Sequence, residues 1–274
     1  MLGSIPRRLR REANHYALVD GIPFTLPVRS LRMQALMAVF PIDPAGAQAL
    51  LPKGIRTVRL LRKAMLAVTV VNYQETVIGT YIEYSIALAC RHGWFGFGQY
   101  VYDLPVSTEI SVKGGKGIWG MPKHRAPLNF EVDDRTVSSQ YDLDGQLGAY
   151  VEIAQPRLKV PARIGASNYC SFRGLLMKST VYFRGRVQVG LGRGARGRFE
   201  VGGHPRLEAL KALGPYEKPV FTAFFPDAHG VLDDHFESWF LEFDGPPEHR
   251  PDGFESVIDL GLGEDWPPPP VAPH

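Results

Sequence analysis

Two side chains in this sequence stand where chemistry is possible. Lys123 lies in the run Trp119-Gly120-Met121-Pro122-Lys123-His124-Arg125. A lysine amine attacks carbonyls only when unprotonated, and its ordinary pKa of about 10.4 leaves little free amine at neutral pH. Apolar surroundings and adjacent cations both disfavour the ammonium. Trp119 and Met121 upstream supply the first, and His124 and Arg125 downstream the second. The spacing therefore admits a Schiff-base lysine, with an exposed turn lysine as the plain alternative. Glu83 sits inside the strand-like run Gly79-Thr80-Tyr81-Ile82-Glu83-Tyr84. Alternation places Tyr81, Glu83 and Ser85 on one face and Ile82, Tyr84 and Ile86 on the other. A carboxylate there is costly to bury unless it is paired or functional. A structural ion pair and a catalytic acid are both open on this pattern.

Other candidates are weaker. Gly192 to Gly197 reads GRGARG and fits G-x-G-x-x-G, but it leads into a strand and a Gly-Gly turn. A dinucleotide loop needs those glycines to open a helix, so the segment reads as a hairpin loop carrying Arg193, Arg196 and Arg198. His229, Asp233, Asp234 and His235 form the densest group of possible metal ligands. Their spacing matches no known ligand pattern, and a polar turn is expected with no metal. No G-x-S-x-G elbow occurs, which leaves serine-hydrolase chemistry without a foothold.

The elements that must position these residues are mostly strands. The chain has 274 residues with 29 glycines and 23 prolines, a load that a helix bundle cannot carry. Strands are expected over 31–40, 63–73, 80–91, 126–131, 136–143, 150–153, 174–189 and 236–243. Two short helices are expected. One is capped by Asp43 with Pro44 at its first position. The other is opened by His204-Pro205, with Leu207, Leu210 and Leu213 at helical spacing before Gly214. Without βαβ alternation, the fold class is β-rich α+β with a largely antiparallel sheet or barrel. We expect one domain over 1–274, with a basic N-terminal arm (about 1–20) and a Pro-rich C-terminal tail (about 265–274).

The net charge of +3 is too small to point to nucleic acid. The longest apolar run, 64–71, has strand length and is far short of a membrane span. Cys90 and Cys170 are the only cysteines and are expected as reduced, buried thiols in a cytoplasmic protein.

Gly79-x-Tyr81-x-Glu83, followed forty residues later by Trp119-Gly120-Met121-Pro122-Lys123, resembles the acetoacetate decarboxylase-like superfamily. Phe40 to Pro52 (FPIDPAGAQALLP) resembles its first strand-to-helix passage, and HPRLEALKALG a late helix of some members. The resemblance implies a cone-like antiparallel β-barrel with a few peripheral helices and a homo-oligomer. It also implies a lysine that forms an imine without any cofactor; acetoacetate decarboxylase is itself the standard example of such an activated lysine. By the same resemblance Lys123 is the imine-forming residue and Glu83 the active-site carboxylate. Tyr81, Trp119, Met121 and His124 line the substrate pocket, and Arg29 or Arg32 is the substrate-binding arginine. The chain departs from the family pattern in three places. His124 stands where the decarboxylase has a second lysine, Val68-Thr69-Val70 lacks the family's upstream glutamate, and neither arginine aligns without a gap.

The function this implies is a cofactor-free lyase decarboxylating a β-keto acid. One alternative is an aldolase-dehydratase that condenses pyruvate with an aldehyde. Another is a non-catalytic protein binding a hydrophobic ligand. The partner expected is a small oxo acid, with neither nucleic acid nor membrane.

Overall fold

A computed structural model describes residues 15–19, 22–172, 174–233 and 237–240. The chain begins with a hairpin of β1 (His15–Val19) and β2 (Ile22–Leu26). There follow β3 (Val28–Ile42), α1 (Pro44–Ala49), β4 (Ile55–Thr57), β5 (Arg59–Leu60), β6 (Lys63–Thr76), β7 (Tyr81–His92) and β8 (Gly96–Val106). Next come α2 (Glu109–Trp119), β9 (Lys123–Arg125), β10 (Glu131–Val132), β11 (Thr136–Leu143) and β12 (Gln146–Ala154). The last elements are β13 (Leu158–Phe172), β14 (Leu175–Leu191), β15 (Gly197–Val201), α3 (Glu208–Lys211), β16 (Phe221–Leu232) and β17 (Glu237–Phe240).

Seven long strands close into a ring in the order β7-β6-β3-β16-β14-β13-β8 and back to β7. Every pairing is antiparallel except β8 with β13, which are parallel through Asn168 and Gln99. Register shifts at Ile86/Ala87 in β7 and at several points of β3 and β16 add the local twist that lets so long a sheet curl. The β-rich, largely antiparallel class expected from the sequence is the one observed.

Because side chains alternate along each strand, the ring has two different faces. Leu36, Phe40, Val70, Tyr84 and Ile86 point outward and meet Val137, Tyr141, Val151 and Phe199 in the largest hydrophobic core. These partners come from a second sheet, β10-β11-β12-β15. Tyr84 and Tyr141 meet edge to face at 4.9 Å. The opposite residues, Met33, Ala35, Val71, Ala223 and Phe225, form a separate apolar group that faces the interior of the ring.

Both short helices lie where the sequence places them. Asp43 caps α1 through a 2.8 Å bond from the Gly46 N–H, and Pro205–Leu207 forms a 3₁₀ turn that runs into α3. Three expectations need correction. The strand expected over 126–131 is a loop with one isolated bridge, Leu128 to Tyr141, that ends in the two-residue β10, because Pro127 offers no N–H to a ladder. The run Glu109–Trp119, where no element is expected from the sequence, is a helix. The end of the expected N-terminal arm is the strand β1; residues 1–14 and 265–274 lie outside the described residues. Among the described residues no helix is long and apolar enough to cross a membrane.

Candidate active site

Lys123 is placed by the end of a glycine-rich helix. α2 stops at Gly120, which adopts φ 61°, a left-handed conformation that favours glycine. A Cβ there would lie 2.5 Å from the Met177 sulfur and 2.8 Å from the Phe172 Cβ, so crowding demands glycine as well. The Gly120 and Met121 N–H groups donate back to the Lys116 and Gly115 carbonyls, which turns the chain into β9. That short strand runs parallel to β8 with Lys123 beside Leu104, while β8 pairs on its other side with β7, Val106 opposite Glu83. One strand thus holds the lysine and the glutamate in a fixed relation.

The lysine side chain folds back over α2. A Cβ on Gly115 would lie 2.3 Å from Lys123 Cδ and 2.7 Å from its Cε, so the stem occupies the space a larger residue would fill. One turn earlier, on the same helix face, the Ser111 Oγ accepts a hydrogen bond from Lys123 Nζ at 3.0 Å. Glu83 Oε2 lies 2.6 Å from the same nitrogen, and the Tyr81 ring centroid is 5.7 Å away. Lys123 is 4 % exposed and the Glu83 side chain 17 %. Ion pairs this buried forfeit hydration that their attraction only partly returns.

Tyr81 stacks on Tyr73 at 4.5 Å. Burial, reinforced by the Glu83 charge, holds the Tyr81 phenol well above its ordinary value. Tyr73 is raised in the same way and from the same two causes. Both therefore remain neutral hydroxyls rather than bases. Ser85 follows on the same face, so Tyr81, Glu83 and Ser85 all line one cavity while Tyr84 and Ile86 are buried in the outer core.

This cavity, of about 220 Å³, lies within the ring and is bordered by Lys123, Glu83, Tyr81 and Met121. The other residues singled out in the sequence lie elsewhere. His124 follows Lys123 on a strand and so points the opposite way; its Nε2 is 2.9 Å from Asp103 Oδ1. Trp119 is buried in a neighbouring cluster, and its Nε1–H donates to the Asp233 carbonyl at 2.7 Å. Neither borders the cavity. Arg29 and Arg32 are exposed, because β3 directs Ser30 and Met33 inward and leaves the arginines outside.

Behind the lysine strand lies a polar network that sequence reading missed. Asp103, 1 % exposed, accepts from His124 Nε2, from Arg206 Nε at 3.0 Å and from the Tyr141 hydroxyl at 2.9 Å. Burial pushes its carboxyl upward, but the bonds and charges of His124 and Arg206 outweigh that and hold it below the ordinary value. Ser111 was also missed; its helical spacing from Gly115 was the available signal.

The remaining motifs take structural roles. Gly192–Gly194 is a 3₁₀ turn between β14 and β15. Asp233 accepts the Thr180 N–H at 2.6 Å, whereas Asp234 and His235 lie outside the described residues. Among the described residues no three His, Cys, Asp or Glu side chains converge on a possible metal site. Cys90 and Cys170 are free and buried.

Comparison with known proteins agrees with this fold. The sequence matches the family model for acetoacetate decarboxylase (ADC) over residues 16–165, more than half of the chain. No curated protein sequence matches it. A solved acetoacetate decarboxylase has a TM-score of 0.63 at 14 % identity, covering 80 % of this chain and 91 % of its own. The acetoacetate decarboxylase of Legionella pneumophila has a TM-score of 0.60 at 15 % identity, covering 87 % of this chain and 99 % of its own. MppR, an enduracididine biosynthesis enzyme solved with pyruvate, has a TM-score of 0.56 at 13 % identity, covering 80 % of this chain and 91 % of its own. It has also been solved with the condensation product of pyruvate and imidazole 4-carboxaldehyde. With the ring fold, the family match over more than half of the sequence and these neighbours, the chain belongs to the acetoacetate decarboxylase family.

Proposed function

We propose that this protein is a Schiff-base lyase in which Lys123 forms an imine with a β-oxo acid and releases carbon dioxide. The observation that carries the reading is the buried Lys123 amine bordering an apolar cavity, with Glu83 at 2.6 Å and Ser111 at 3.0 Å. Glu83 is within proton-transfer distance of the amine. Glu83 takes a proton from the Lys123 ammonium, the neutral amine adds to the substrate ketone, and Glu83 returns the proton to the departing hydroxyl, so that water leaves and a protonated imine remains. The bond to the carboxylate carbon then breaks, its electron pair moves into the iminium, and carbon dioxide and an enamine result. Glu83, reprotonated from water, delivers a proton to the enamine carbon, and water hydrolyses the resulting protonated imine to free the ketone and the lysine ammonium, so that one proton is consumed for each carbon dioxide released. The apolar wall strips water from the departing carboxylate, while the Tyr81 and Ser111 hydroxyls supply neutral hydrogen bonds. Every step uses side chains of this chain.

A second reading keeps Lys123 and Glu83 but joins pyruvate to an aldehyde and then eliminates water. It is favoured by the likeness to MppR, solved with such a condensation product, and by His124 standing turned away in place of a second lysine. The two readings separate in one assay. Carbon dioxide released from 3-oxobutanoate or a longer β-oxo acid with no aldehyde present supports decarboxylation. A conjugated product absorbing in the near ultraviolet, formed only from pyruvate plus an aldehyde, supports the second. The proposal also includes assembly into a homo-oligomer in the cytoplasm, which light scattering of the purified protein checks for the assembly.

A further inference from the structure

The lining of the cavity narrows the substrate class. Resting on the imine reading above, we propose that the substrate is an oxo acid bearing an extended, uncharged apolar substituent, rather than a four-carbon acid or one with a second charged end.

Two observations support this. Among the described residues lining the cavity, Lys123 and Glu83 are the only charged side chains, and they neutralise one another. Arg29 and Arg32, the cations expected to hold a carboxylate, are exposed. A second carboxylate or an ammonium deep in this lumen would lose its hydration without gaining a partner, which strongly disfavours it. Secondly, the apolar wall runs far beyond the reactive centre. In register, Glu83 lies opposite Val71, Val71 opposite Ala35, and Ala35 opposite Phe225. From that level the lining continues along β16 through Ala223 to Phe221. At about 3.4 Å per residue this adds roughly 13 Å of wall. An extended chain advances about 3.3–3.6 Å for every three bonds, so the wall matches roughly eleven bonds, well beyond the reach of acetoacetate. Val101 and Phe183 close the lumen on other sides. The polar groups beyond Ser85, chiefly the Gln99–Asn168 pair joined at 2.8 Å, are neutral amides that tolerate a tail but attract no ion.

The test is a series of β-oxo acids of rising length, from 3-oxobutanoate to 3-oxooctanoate, with 3-oxoadipate as the charged-ended control. Each is trapped on the full-length protein by borohydride at subsaturating concentration. Burying a methylene strengthens binding by about fourfold, so 3-oxooctanoate should label Lys123 at least about 50-fold more efficiently than 3-oxobutanoate. 3-Oxoadipate should fall well below the uncharged chain of equal length. Equal labelling along the series, or efficient labelling by 3-oxoadipate, overturns the inference and leaves the imine reading intact. Calorimetric binding of butanoate, hexanoate and octanoate reads the tail preference without any imine. If nothing traps on Lys123 yet affinity climbs with chain length, the imine reading fails and the apolar-tail assignment stands. If nothing traps and the three acids bind alike, both fail.

Discussion

Gly115→Ala should separate folding from chemistry. The added Cβ would lie 2.3 Å from Lys123 Cδ and 3.1 Å from its Cγ. Carbon atoms settle at about 3.5–4.0 Å, so the gap must open by about 1.2 Å or more. The yielding partner is the lysine stem, a flexible chain, rather than the helix backbone. Replacing a helical glycine by alanine favours the helix by about 1 kcal/mol, which offsets the crowding. Thermal stability should therefore stay within about 1 kcal/mol of the parent. The Lys123 nitrogen, in contrast, is displaced from Glu83 and Ser111 by a distance comparable with the clash. Misplacement by about 1 Å costs a reaction about 100-fold. The assay is the rate of borohydride-trapped labelling of Lys123 beside a melting curve of the same variant. A labelling rate within threefold of the parent at unchanged stability would refute the placement of the lysine stem against α2.

Further outcomes follow from the buried groups. Asp103→Ala leaves His124 and Arg206 without their shared carboxylate, and removing one partner of a buried ionic cluster costs about 3–5 kcal/mol. For a chain of this size, a fall in Tm of about 10 °C is expected. The Asp103 carboxyl is held below its ordinary 3.8, so in the parent its contribution is intact above about pH 4. It is lost as the pH falls below that value, and the acid limb of a stability–pH profile should flatten in the variant. Burial pushes both thiols up to about 12. Iodoacetamide at pH 8.5 should leave Cys90 and Cys170 unmodified in the folded protein and modify both on unfolding. Because these folded values exceed the ordinary 9.0, stability is whole below pH 9 and declines as pH rises from 9 towards 12, by about 1.4 kcal/mol per pH unit for each thiol. Glu83→Gln keeps the shape of the site but removes the proton carrier, so labelling of Lys123 should slow by about 100-fold or more.

The residues of β7 were legible because strand alternation is a local rule. Tyr81, Glu83 and Ser85 share the face that the pattern assigns them, and Asp43-Pro44 caps a helix for equally local reasons. The same rule, applied to Lys123-His124, would have turned the histidine away from the cavity, but the three-residue β9 has no pattern of its own to announce it. α2 was hidden by Gly114, Gly115 and Gly117, whose low helix propensity is overridden by packing: Gly114 faces the Phe24 ring and Gly115 the lysine stem. Trp119 lies on that unrecognised helix, so its direction could not be read. The Asp103 network joins residues 38 and 103 positions apart, and nothing in sequence spacing reports such a meeting. The arginines of β3 were expected inside only from a resemblance that aligns neither of them without a gap, and both are exposed where the register shifts between Ser30 and Met33.

The proposed function rests on an imine between Lys123 and an oxo acid, and reductive trapping reads that bond directly. The protein is incubated with pyruvate, 3-oxobutanoate or 3-oxooctanoate plus borohydride, and intact mass and peptide mapping follow. One stable adduct is expected, on Lys123, and it is absent from the Lys123→Ala variant. No adduct on the parent with any oxo acid offered, or labelling spread over other lysines and unchanged in Lys123→Ala, would contradict it and favour a binding protein that keeps the ring and its apolar lumen.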